Sequence, residues 1–191
     1  MRRVKIIVIG GSAGSLQVIL GILSAIRRDF PLSILIVLHR NGVFESSLED
    51  IFASRTEAPI KEVEEKEPIL PGTIYIAPAD YHVLIEEDHT FSLDYSERVN
   101  FSRPSIDVTF RSAADVYGAD LVCCLLSGGN ADGVDGLEYV KANGGIVVVQ
   151  DPATADVPYM PQHAITRMAV DFVVPADEMP AFLKGLAREG I

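Results

Sequence analysis

The chain has 191 residues, of which 48% are hydrophobic and 23% charged, which is typical of a globular protein and excludes a disordered one. Its 16 Lys and Arg against 27 Asp and Glu give a net charge of −11, which argues against a general nucleic-acid-binding protein. The length suits one domain with a substantial core, and we expect a single domain over residues 1–191.

Two further features of the sequence concern the compartment. Cys123 and Cys124 are adjacent within an apolar run, so they would point to opposite faces of a strand, and we expect them to be buried, unbridged and in a reducing compartment. The basic residues at 1–5 precede an apolar run that is too short for a secretory signal, and no segment reaches the roughly 20 apolar residues that span a bilayer. We therefore expect a cytoplasmic protein without membrane insertion.

Apolar runs and helical periodicity alternate in the first part of the chain. Continuous apolar runs indicate strands buried on both faces, and apolar residues at helical spacing indicate amphipathic helices. In chain order these patterns predict a strand at 4–9, a helix at 14–28, a strand at 33–38 and a helix at 44–53.

The middle of the chain has short strands and more turn residues. The pattern predicts strands at 58–63 and 73–77, and then two strands at 82–86 and 90–94 that flank a polar turn. This last pair predicts a β-hairpin, followed by a loop at 98–103.

The α/β alternation then resumes. We predict helices at 104–117, 133–142, 160–167 and 178–188, with Pro104 in the first turn of its helix, and strands at 120–126, 145–149 and 172–174. A glycine-rich loop covers 127–132. Together the elements predict an α/β fold with a doubly wound, mostly parallel sheet, helices on both faces and a small antiparallel hairpin insertion.

Three polar residues follow predicted strands of this sheet. Ser12 follows the first strand, His39 follows the second, and Asp132 lies in the glycine-rich loop after the strand that ends at Leu126. Binding and catalytic sites of open α/β sheets gather outside the carboxyl ends of the strands. A serine, a histidine and an aspartate are the residue types of a nucleophile, its base and the acid that orients the base.

Each of these residues also has a structural interpretation. Ser12 could only cap the helix that follows it, His39 could be an ordinary histidine at a strand end, and Asp132 could be a helix N-cap in a glycine turn. Their common position at one edge of one sheet favours the catalytic interpretation.

A nucleotide site is the main competitor for the first glycine turn. A dinucleotide fingerprint reads Gly-x-Gly-x-x-Gly and needs an acidic residue after the second strand, whereas the glycines here are Gly10, Gly11 and Gly14 and the second strand ends in His39 and Arg40. The Gly-Lys-Ser/Thr sequence of a P-loop is also missing from the chain.

Metal ligation is likewise weakly indicated, and we expect no cofactor. The histidines have no paired ligand spacing: His39, His82, His89 and His163. Four aspartates could gather around Mg²⁺, although solvated loop acids are the simpler interpretation: Asp132, Asp135, Asp151 and Asp156.

Several spaced motifs together make the sequence recognisable. They are the Ile-Gly-Gly-Ser-Ala-Gly turn at 9–14, Val-Leu-His at 37–39, Leu-Pro-Gly-Thr-Ile-Tyr-Ile-Ala-Pro at 70–78 with His82, Arg-Pro-Ser-Ile-Asp-Val-Thr-Phe at 103–110, and Leu-Ser-Gly-Gly-Asn-Ala-Asp-Gly at 126–133. In this order they resemble the catalytic domain of the chemotaxis receptor protein-glutamate methylesterases (the CheB family) over nearly the whole chain.

The resemblance implies a serine hydrolase of phosphorelay signal transduction that converts glutamate γ-methyl esters on the cytoplasmic helices of chemoreceptors to glutamate and methanol, with glutamine deamidation as a second activity. By motif position, Ser12 is the nucleophile, His39 the base and Asp132 its orienter. The backbone N–H groups of Ala13 and Gly129 are the implied oxyanion donors.

The sequence also departs from the family pattern around the implied groove. Ser15 stands where a second glycine is common, residues 40–44 replace Met-Pro-Pro-Gly-Phe, Gly129 and Asn130 replace Met-Gly, and the loop 99–102 is atypical. These changes motivate an alternative, a catalytically impaired module of the same fold that binds receptors as a scaffold. Relatives commonly carry a receiver domain before the esterase; we expect none here and expect a separate receiver protein as a candidate regulator.

Overall fold

A computed structural model describes residues 4–39 and 48–189 of the chain, with side chains through residue 187. The strands are β1 Ile6–Gly11, β2 Ser33–Leu38, β3 Ile60–Glu62, β4 Ile74–Ile76, β5 His82–Ile85, β6 Phe91–Asp94, β7 Leu121–Leu125, β8 Ile146–Gln150 and β9 Phe172–Val174. The helices are α1 Leu16–Ala25, α2 Leu48–Ala53, α3 Ile106–Tyr117, α4 Val134–Ala142, α5 Tyr159–Arg167 and α6 Met179–Glu189.

Seven strands form one parallel sheet in the order β3-β4-β2-β1-β7-β8-β9. From β1 the chain passes to β2 and then to the outermost strand β3 before β4 inserts between β3 and β2, and it later adds β7, β8 and β9 in turn on the other side of β1. The order therefore reverses between β1 and β7, and the crevice outside the carboxyl ends of these strands is where α/β sheets bind ligands.

Alternate residues of each central strand enter two separate apolar cores. Ile7 and Ile9 of β1 face the layer that contains α1 and α6, whereas Ile6 and Val8 face the layer that contains α3, α4 and α5. All five residues of β7 are buried, which explains the continuous apolar runs of the sequence. The prediction of a doubly wound, mostly parallel sheet covered on both faces is confirmed.

The strands β5 and β6 form the separate antiparallel hairpin that the sequence predicted. The turn between them uses His89, whose φ of 60° lies in the left-handed region. Asp88 Oδ1 accepts hydrogen bonds from the backbone N–H and the hydroxyl of Thr90, which holds the turn without an Asn-Gly or Asp-Gly pair.

The element boundaries differ from prediction at strand and helix ends: the strand predicted at 4–9 is Ile6–Gly11, and the helix predicted at 14–28 ends at Ala25. The helix predicted from Pro104 begins at Ile106, because Ser105 is its N-cap and its hydroxyl accepts from the Val108 N–H. The helix predicted from residue 14 begins at Leu16, because the glycine turn occupies residues 12–15. Residues 44–47 of the predicted second helix, and the atypical segment 40–44, lie outside the described residues.

Cys123 and Cys124 are buried and unbridged, as predicted, and burial raises the pKa of both thiols. Among the helices of the described ranges, none combines the length and the apolar character that a membrane crossing needs.

Candidate active site

The first strand ends in a tight turn that presents Ser12 at the amino end of α1. Gly14 has a φ of 78°, a conformation that L side chains rarely adopt, and a Cβ there would lie 2.6 Å from the Asp156 Cβ. The Ser12 carbonyl accepts from the backbone N–H and the hydroxyl of Ser15, at 3.1 and 2.6 Å. Ser15 stands where a second glycine was expected, and its two hydrogen bonds to the Ser12 carbonyl stabilise the turn that carries Ser12.

His39 lies beside Ser12 because of strand register. Gly11 of β1 pairs with Leu38 of β2, and the His39 N–H donates to the Gly11 carbonyl at 3.2 Å. Ser12 and His39 are thus the next residues on two neighbouring parallel strands.

Asp132 reaches the same edge of the sheet from the loop after β7. Its Oδ2 accepts from His39 Nε2 at 2.6 Å, and its side chain is fully buried while that of His39 is 12% exposed. The structure therefore brings the predicted histidine and aspartate into direct contact.

Four further donors hold the Asp132 carboxylate. Oδ2 also accepts from the Ile106 N–H at 2.7 Å, and Oδ1 accepts from the Ser105 hydroxyl at 2.8 Å, the Asp107 N–H at 3.1 Å and Asn100 Nδ2 at 3.3 Å. Two of these donors are the first amides of α3, where the helix dipole favours a negative charge. Asp132 is thus oriented and kept as an anion by donors on three sides.

The hydrogen bonds decide the ionisation of Asp132. Burial by itself raises the pKa of this carboxyl, but the bonds from His39, from the Ile106 amide and from Ser105 outweigh burial and leave the pKa below its ordinary value. The result is a buried carboxylate that can orient a histidine and stabilise its charged form.

The contact with Asp132 leaves one ring nitrogen of His39 for Ser12. Because Nε2 donates to Asp132, only Nδ1 can accept the serine proton. Within the described part of the chain no hydrogen bond joins the Ser12 hydroxyl to the ring. In hydrolases without substrate such bonds are often long and tighten on binding, so the arrangement is compatible with a serine–histidine pair.

The backbone amides around Ser12 divide into two groups. The Ser12 N–H donates to the Ser127 carbonyl at 2.9 Å, and the Gly128 N–H donates to the Val157 carbonyl at 3.0 Å. Across residues 4–39 and 48–189, the N–H groups of Ala13 and Gly129 have no acceptor. These two are the amides that the resemblance implied as oxyanion donors, and no described residue accepts a hydrogen bond from either of them.

A close contact between two loops explains why residue 128 is glycine. A Cβ on Gly128 would lie 2.5 Å from the Met160 Cε and 3.1 Å from the Ser12 Cβ. The absent side chain lets the loop after β7 pass directly over the serine turn, with Gly128, the residue before Gly129, against Ser12. The Ser127 hydroxyl reinforces the contact by bonding the Ala13 carbonyl at 2.8 Å.

The two substituted loops are joined to one another. Asn130 Oδ1 accepts from the Asp132 N–H at 3.1 Å, and Asn130 Nδ2 donates to the Ser102 hydroxyl at 3.4 Å. Asn100, in the other loop, bonds Asp132 directly. The substitutions at these positions therefore support Asp132 and leave its contact with His39 in place.

Three residues of this site were not singled out from sequence: Asn100, Ser105 and Asp107. Ser105 and Asp107 lie in the motif at 103–110, which pointed to a family but to no role, and Asn100 lies in a loop that read as merely atypical. Fully buried His82 supports Ser105, since its Nδ1 accepts from the Ser105 N–H and its Nε2 donates to the Glu97 carbonyl, both at 3.0 Å. Within the described ranges no three potential metal ligands converge.

A family model, curated proteins and a solved structure that are similar to this chain all point to the same family. A family model described as CheB methylesterase matches residues 7–183. A protein of Leptospira interrogans named putative protein-glutamate methylesterase/protein-glutamine glutaminase is 45% identical over 91% of this chain and 90% of its own length.

Longer relatives and a solved structure extend the comparison. A Thermotoga maritima protein named protein-glutamate methylesterase/protein-glutamine glutaminase is 35% identical over 92% of this chain and 52% of its own length. The crystal structure of the Thermotoga maritima CheB methylesterase catalytic domain matches with a TM-score of 0.91 and 35% identity, over 96% of this chain and 98% of that chain.

Proposed function

The chain belongs to the CheB methylesterase family, and we propose that it hydrolyses glutamate γ-methyl esters on chemoreceptor cytoplasmic helices and deamidates glutamine at such sites. The proposed catalytic residues are Ser12, His39 and Asp132. The observation that carries the proposal is the 2.6 Å contact of His39 with Asp132 directly beside Ser12.

The first half of the proposed reaction forms an acyl-enzyme. Nδ1 of His39 takes the proton of Ser12 as Oγ attacks the ester carbonyl carbon. Asp132 holds the ring through Nε2 and stabilises the imidazolium that forms. The imidazolium then protonates the departing methoxide, which leaves as methanol, and the glutamyl group remains on Ser12.

The tetrahedral intermediate carries its negative charge on the former carbonyl oxygen. In our proposal the N–H groups of Ala13 and Gly129 bind this oxygen, since Ala13 follows Ser12, Gly129 follows Gly128, which lies against Ser12, and neither donates elsewhere in the described chain. The amino end of α1 adds a favourable dipole behind Ala13.

The second half of the reaction releases the acid. Water, deprotonated by His39, attacks the acyl carbon, and the returned proton restores the Ser12 hydroxyl as glutamate leaves. A glutamine side chain gives the same acyl-enzyme with ammonia as the leaving group. One set of residues therefore serves both activities named for the relatives.

The alternative of a catalytically impaired scaffold is not favoured. The relatives are named as methylesterases and glutaminases, and the altered loops of this chain support Asp132 through Asn100 and Asn130.

The organisation around the catalytic unit is a further part of the proposal. We propose that residues 1–191 act as one methylesterase domain in the cytoplasm, and that a separate phosphorylatable receiver protein regulates it. The test mixes the chain with candidate receivers in phosphorylated and unphosphorylated form and measures methanol release; equal rates with and without every receiver would contradict the regulation.

The proposed activity is tested on a methylated chemoreceptor cytoplasmic fragment. Methanol and ammonia release are measured for the wild type, for Ser12→Ala and for Ser54→Ala, which removes an exposed hydroxyl on another face. Ser12→Ala should lower methanol release by about 10³-fold or more, whereas Ser54→Ala should match the wild type. Binding of the receptor without methanol release by the wild type would support the scaffold instead.

A further inference from the structure

A second buried carboxyl group lies behind the proposed catalytic aspartate. Asp107 is the second residue of α3 and is 5% exposed. Asn100 Nδ2 donates to Asp107 Oδ2 at 2.7 Å and to Asp132 Oδ1 at 3.3 Å, so one amide group bridges the two carboxyls. The proposed mechanism gives Asp107 no role.

The hydrogen-bond donors are divided unequally between the two carboxyls. From the described residues Asp132 accepts five hydrogen bonds, one of them from His39. From the same residues Asp107 accepts two, from Asn100 and from the Gly136 N–H, the latter at 2.6 Å. Two adjacent buried carboxyls cannot both ionise without a large cost, so the negative charge belongs on Asp132 and the proton on Asp107.

Among residues 4–39 and 48–187, the charged groups around Asp107 do not offset a second negative charge. From the loop after β7 and from α4 it faces two acids, Asp132 and Asp135. From β5, His82 has both ring nitrogens engaged with backbone groups. His39, after β2, is bound to Asp132 rather than to Asp107. The strands β1 and β7 contribute apolar residues to this face.

The arginines that flank Asp107 in sequence are used elsewhere. The Arg103 guanidinium lies over the Tyr95 ring at 3.8 Å, and that of Arg111 lies 5.8 Å from the Tyr139 ring centroid. In the part of the chain that the structure describes, Asp107 forms no ion pair. Burial and the negative charge of Asp132 accordingly raise the pKa of Asp107 to about 7.

We propose that Asp107 is a positioning residue, a neutral carboxylic acid that donates a hydrogen bond to Asp132 and so holds the ionised carboxylate toward His39. This inference rests on the proposed function only for its effect on rate, since the shared proton is a property of the protein without substrate. Loss of that proton removes a donor from Asp132 and places a like charge beside it. The hydrolysis rate of the wild type should therefore fall as Asp107 ionises above neutral pH.

A simpler role for Asp107 is to cap α4. Gly133 precedes α4 and has no side chain to cap it, and Asp107 Oδ1 accepts from Gly136, one of the unpaired amides of the first turn. The variant Asp107→Asn keeps a carbonyl oxygen for this cap and an N–H donor for Asp132, gives up the acceptor of Asn100 Nδ2, and cannot ionise. A pure cap therefore predicts no change in any pH profile, whereas a shared proton predicts the loss of one ionisation.

The direct test is ¹³C NMR of the aspartate carboxyls between pH 4 and 9, with wild type, Asp107→Asn and Asp115→Asn. Asp115 is an exposed acid on the same helix and serves as the matched control. One carboxyl should titrate near neutral pH in the wild type and in Asp115→Asn and should be missing from Asp107→Asn. If no aspartate titrates above about pH 5.5 in the wild type, or if the signal persists in Asp107→Asn, the proposal is overturned.

The kinetic test uses methyl-ester hydrolysis over the same pH range. Asp107→Asn, which replaces the Oδ2 acceptor of Asn100 with an amide nitrogen, should be slower than the wild type at pH 6, and its rate should not decline above neutral pH. Asp107→Ala, which leaves Asp132 one donor short, should lower kcat by about 10- to 100-fold with little change in KM. Superimposable profiles of wild type and Asp107→Asn would refute the effect on rate. An inactive wild type with the expected carboxyl titration would refute the proposed function and leave the shared proton standing.

Discussion

His39 and Asp132 are 93 residues apart in the chain, yet His39 Nε2 lies 2.6 Å from Asp132 Oδ2. The contact forms because β2 and the loop after β7 end on either side of β1, at the point where the strand order reverses. It fixes which ring nitrogen faces Asp132 and which one is left for Ser12.

Replacing Asp132 with Asn tests this contact. An amide can still bond the ring, but it neither selects the tautomer with the proton on Nε2 nor stabilises the imidazolium, so kcat for methyl-ester hydrolysis should fall by about 10⁴-fold. Methanol release is the measurement, and the far-UV circular dichroism of the variant is the fold control. A folded Asp132→Asn variant with wild-type turnover would show that His39 acts without this acid.

The lowered pKa of Asp132 also makes the free energy of unfolding depend on pH in acid. Its folded-state pKa is lowered, so the unfolded chain, with an aspartate pKa of about 3.9, binds more protons in acid. The stability that this group contributes is present above about pH 4 and is lost as pH falls through the folded pKa. Urea unfolding of wild type and Asp132→Asn between pH 2 and 6 measures it, and the variant should lose less stability over that range than the wild type does.

Asp107 changes the free energy of unfolding with pH in the opposite direction from Asp132. Its raised pKa of about 7 means that the folded protein binds more protons than the unfolded chain between about pH 4 and 7. This group therefore lowers the free energy of unfolding as pH rises through that window, and Asp107→Asn should remove the decline. If the free energy of unfolding changed with pH in the same way in the wild type, in Asp132→Asn and in Asp107→Asn, the lowered pKa of Asp132 and the raised pKa of Asp107 would both be contradicted.

Gly128 provides a steric test of the loop that carries Gly129. In Gly128→Ala the new methyl group would meet the buried Met160 side chain and would lie 3.1 Å from the Ser12 Cβ, so Met160 must rotate within the core or the loop must move, and the Gly129 N–H with it. Loss of one oxyanion donor typically costs about 10²- to 10³-fold in kcat, and we expect a loss of this size. Gly128→Ala combined with Met160→Ala should recover part of it, because the second change removes the closer of the two contacts. No recovery in a folded double variant would place the defect elsewhere.

The sequence predicted the architecture well because its signals were local. The predicted bounds of β2 and of β9 both match the structure, at Ser33–Leu38 and Phe172–Val174. Sites of α/β sheets lie outside the carboxyl ends of the strands, and this rule selected Ser12, His39 and Asp132. It works because parallel strands bring their carboxyl ends to one edge of the sheet, however far apart the strands are in the chain. Element ends were less accurate where side chains decide them, as at Ser105.

The support for Asp132 could not be predicted in the same way. Asn100, Ser105 and Asp107 bond Asp132 from 25 to 32 positions away in the chain, and no local pattern encodes such contacts. The burial that raises the Asp107 pKa likewise depends on how α3 packs on α4. The orientation of the His39 ring was also beyond reach, because the order of Ser, His and Asp in a sequence leaves both ring nitrogens equivalent.

Exposed Phe101 is expected to contact a macromolecular ester substrate. Its side chain is 94% exposed and its φ is 63°, and it stands between Asn100 and Ser102, which connect this loop to the active site. An exposed aromatic residue at this place can pack on an apolar stripe of a receptor helix. Phe101→Ala should raise KM for a methylated receptor about tenfold and leave kcat for a small methyl ester unchanged.

The control for Phe101 is Leu70→Ala. Leu70 is 53% exposed but precedes β4, at the opposite edge of the sheet from the active site. This variant should leave both substrates unaffected. Equal effects of Phe101→Ala on the receptor and on the small ester would indicate a disturbance of catalysis rather than lost docking.

Covalent labelling by a fluorophosphonate most directly tests the central claim that Ser12 is a nucleophile activated by His39 and Asp132. Mass spectrometry of the wild type should find one label per chain, on Ser12 and not on nearby Ser15 or Ser127, and Asp132→Asn should label far more slowly. Stoichiometric labelling at another serine, or an undiminished rate in Ser12→Ala, would contradict the account.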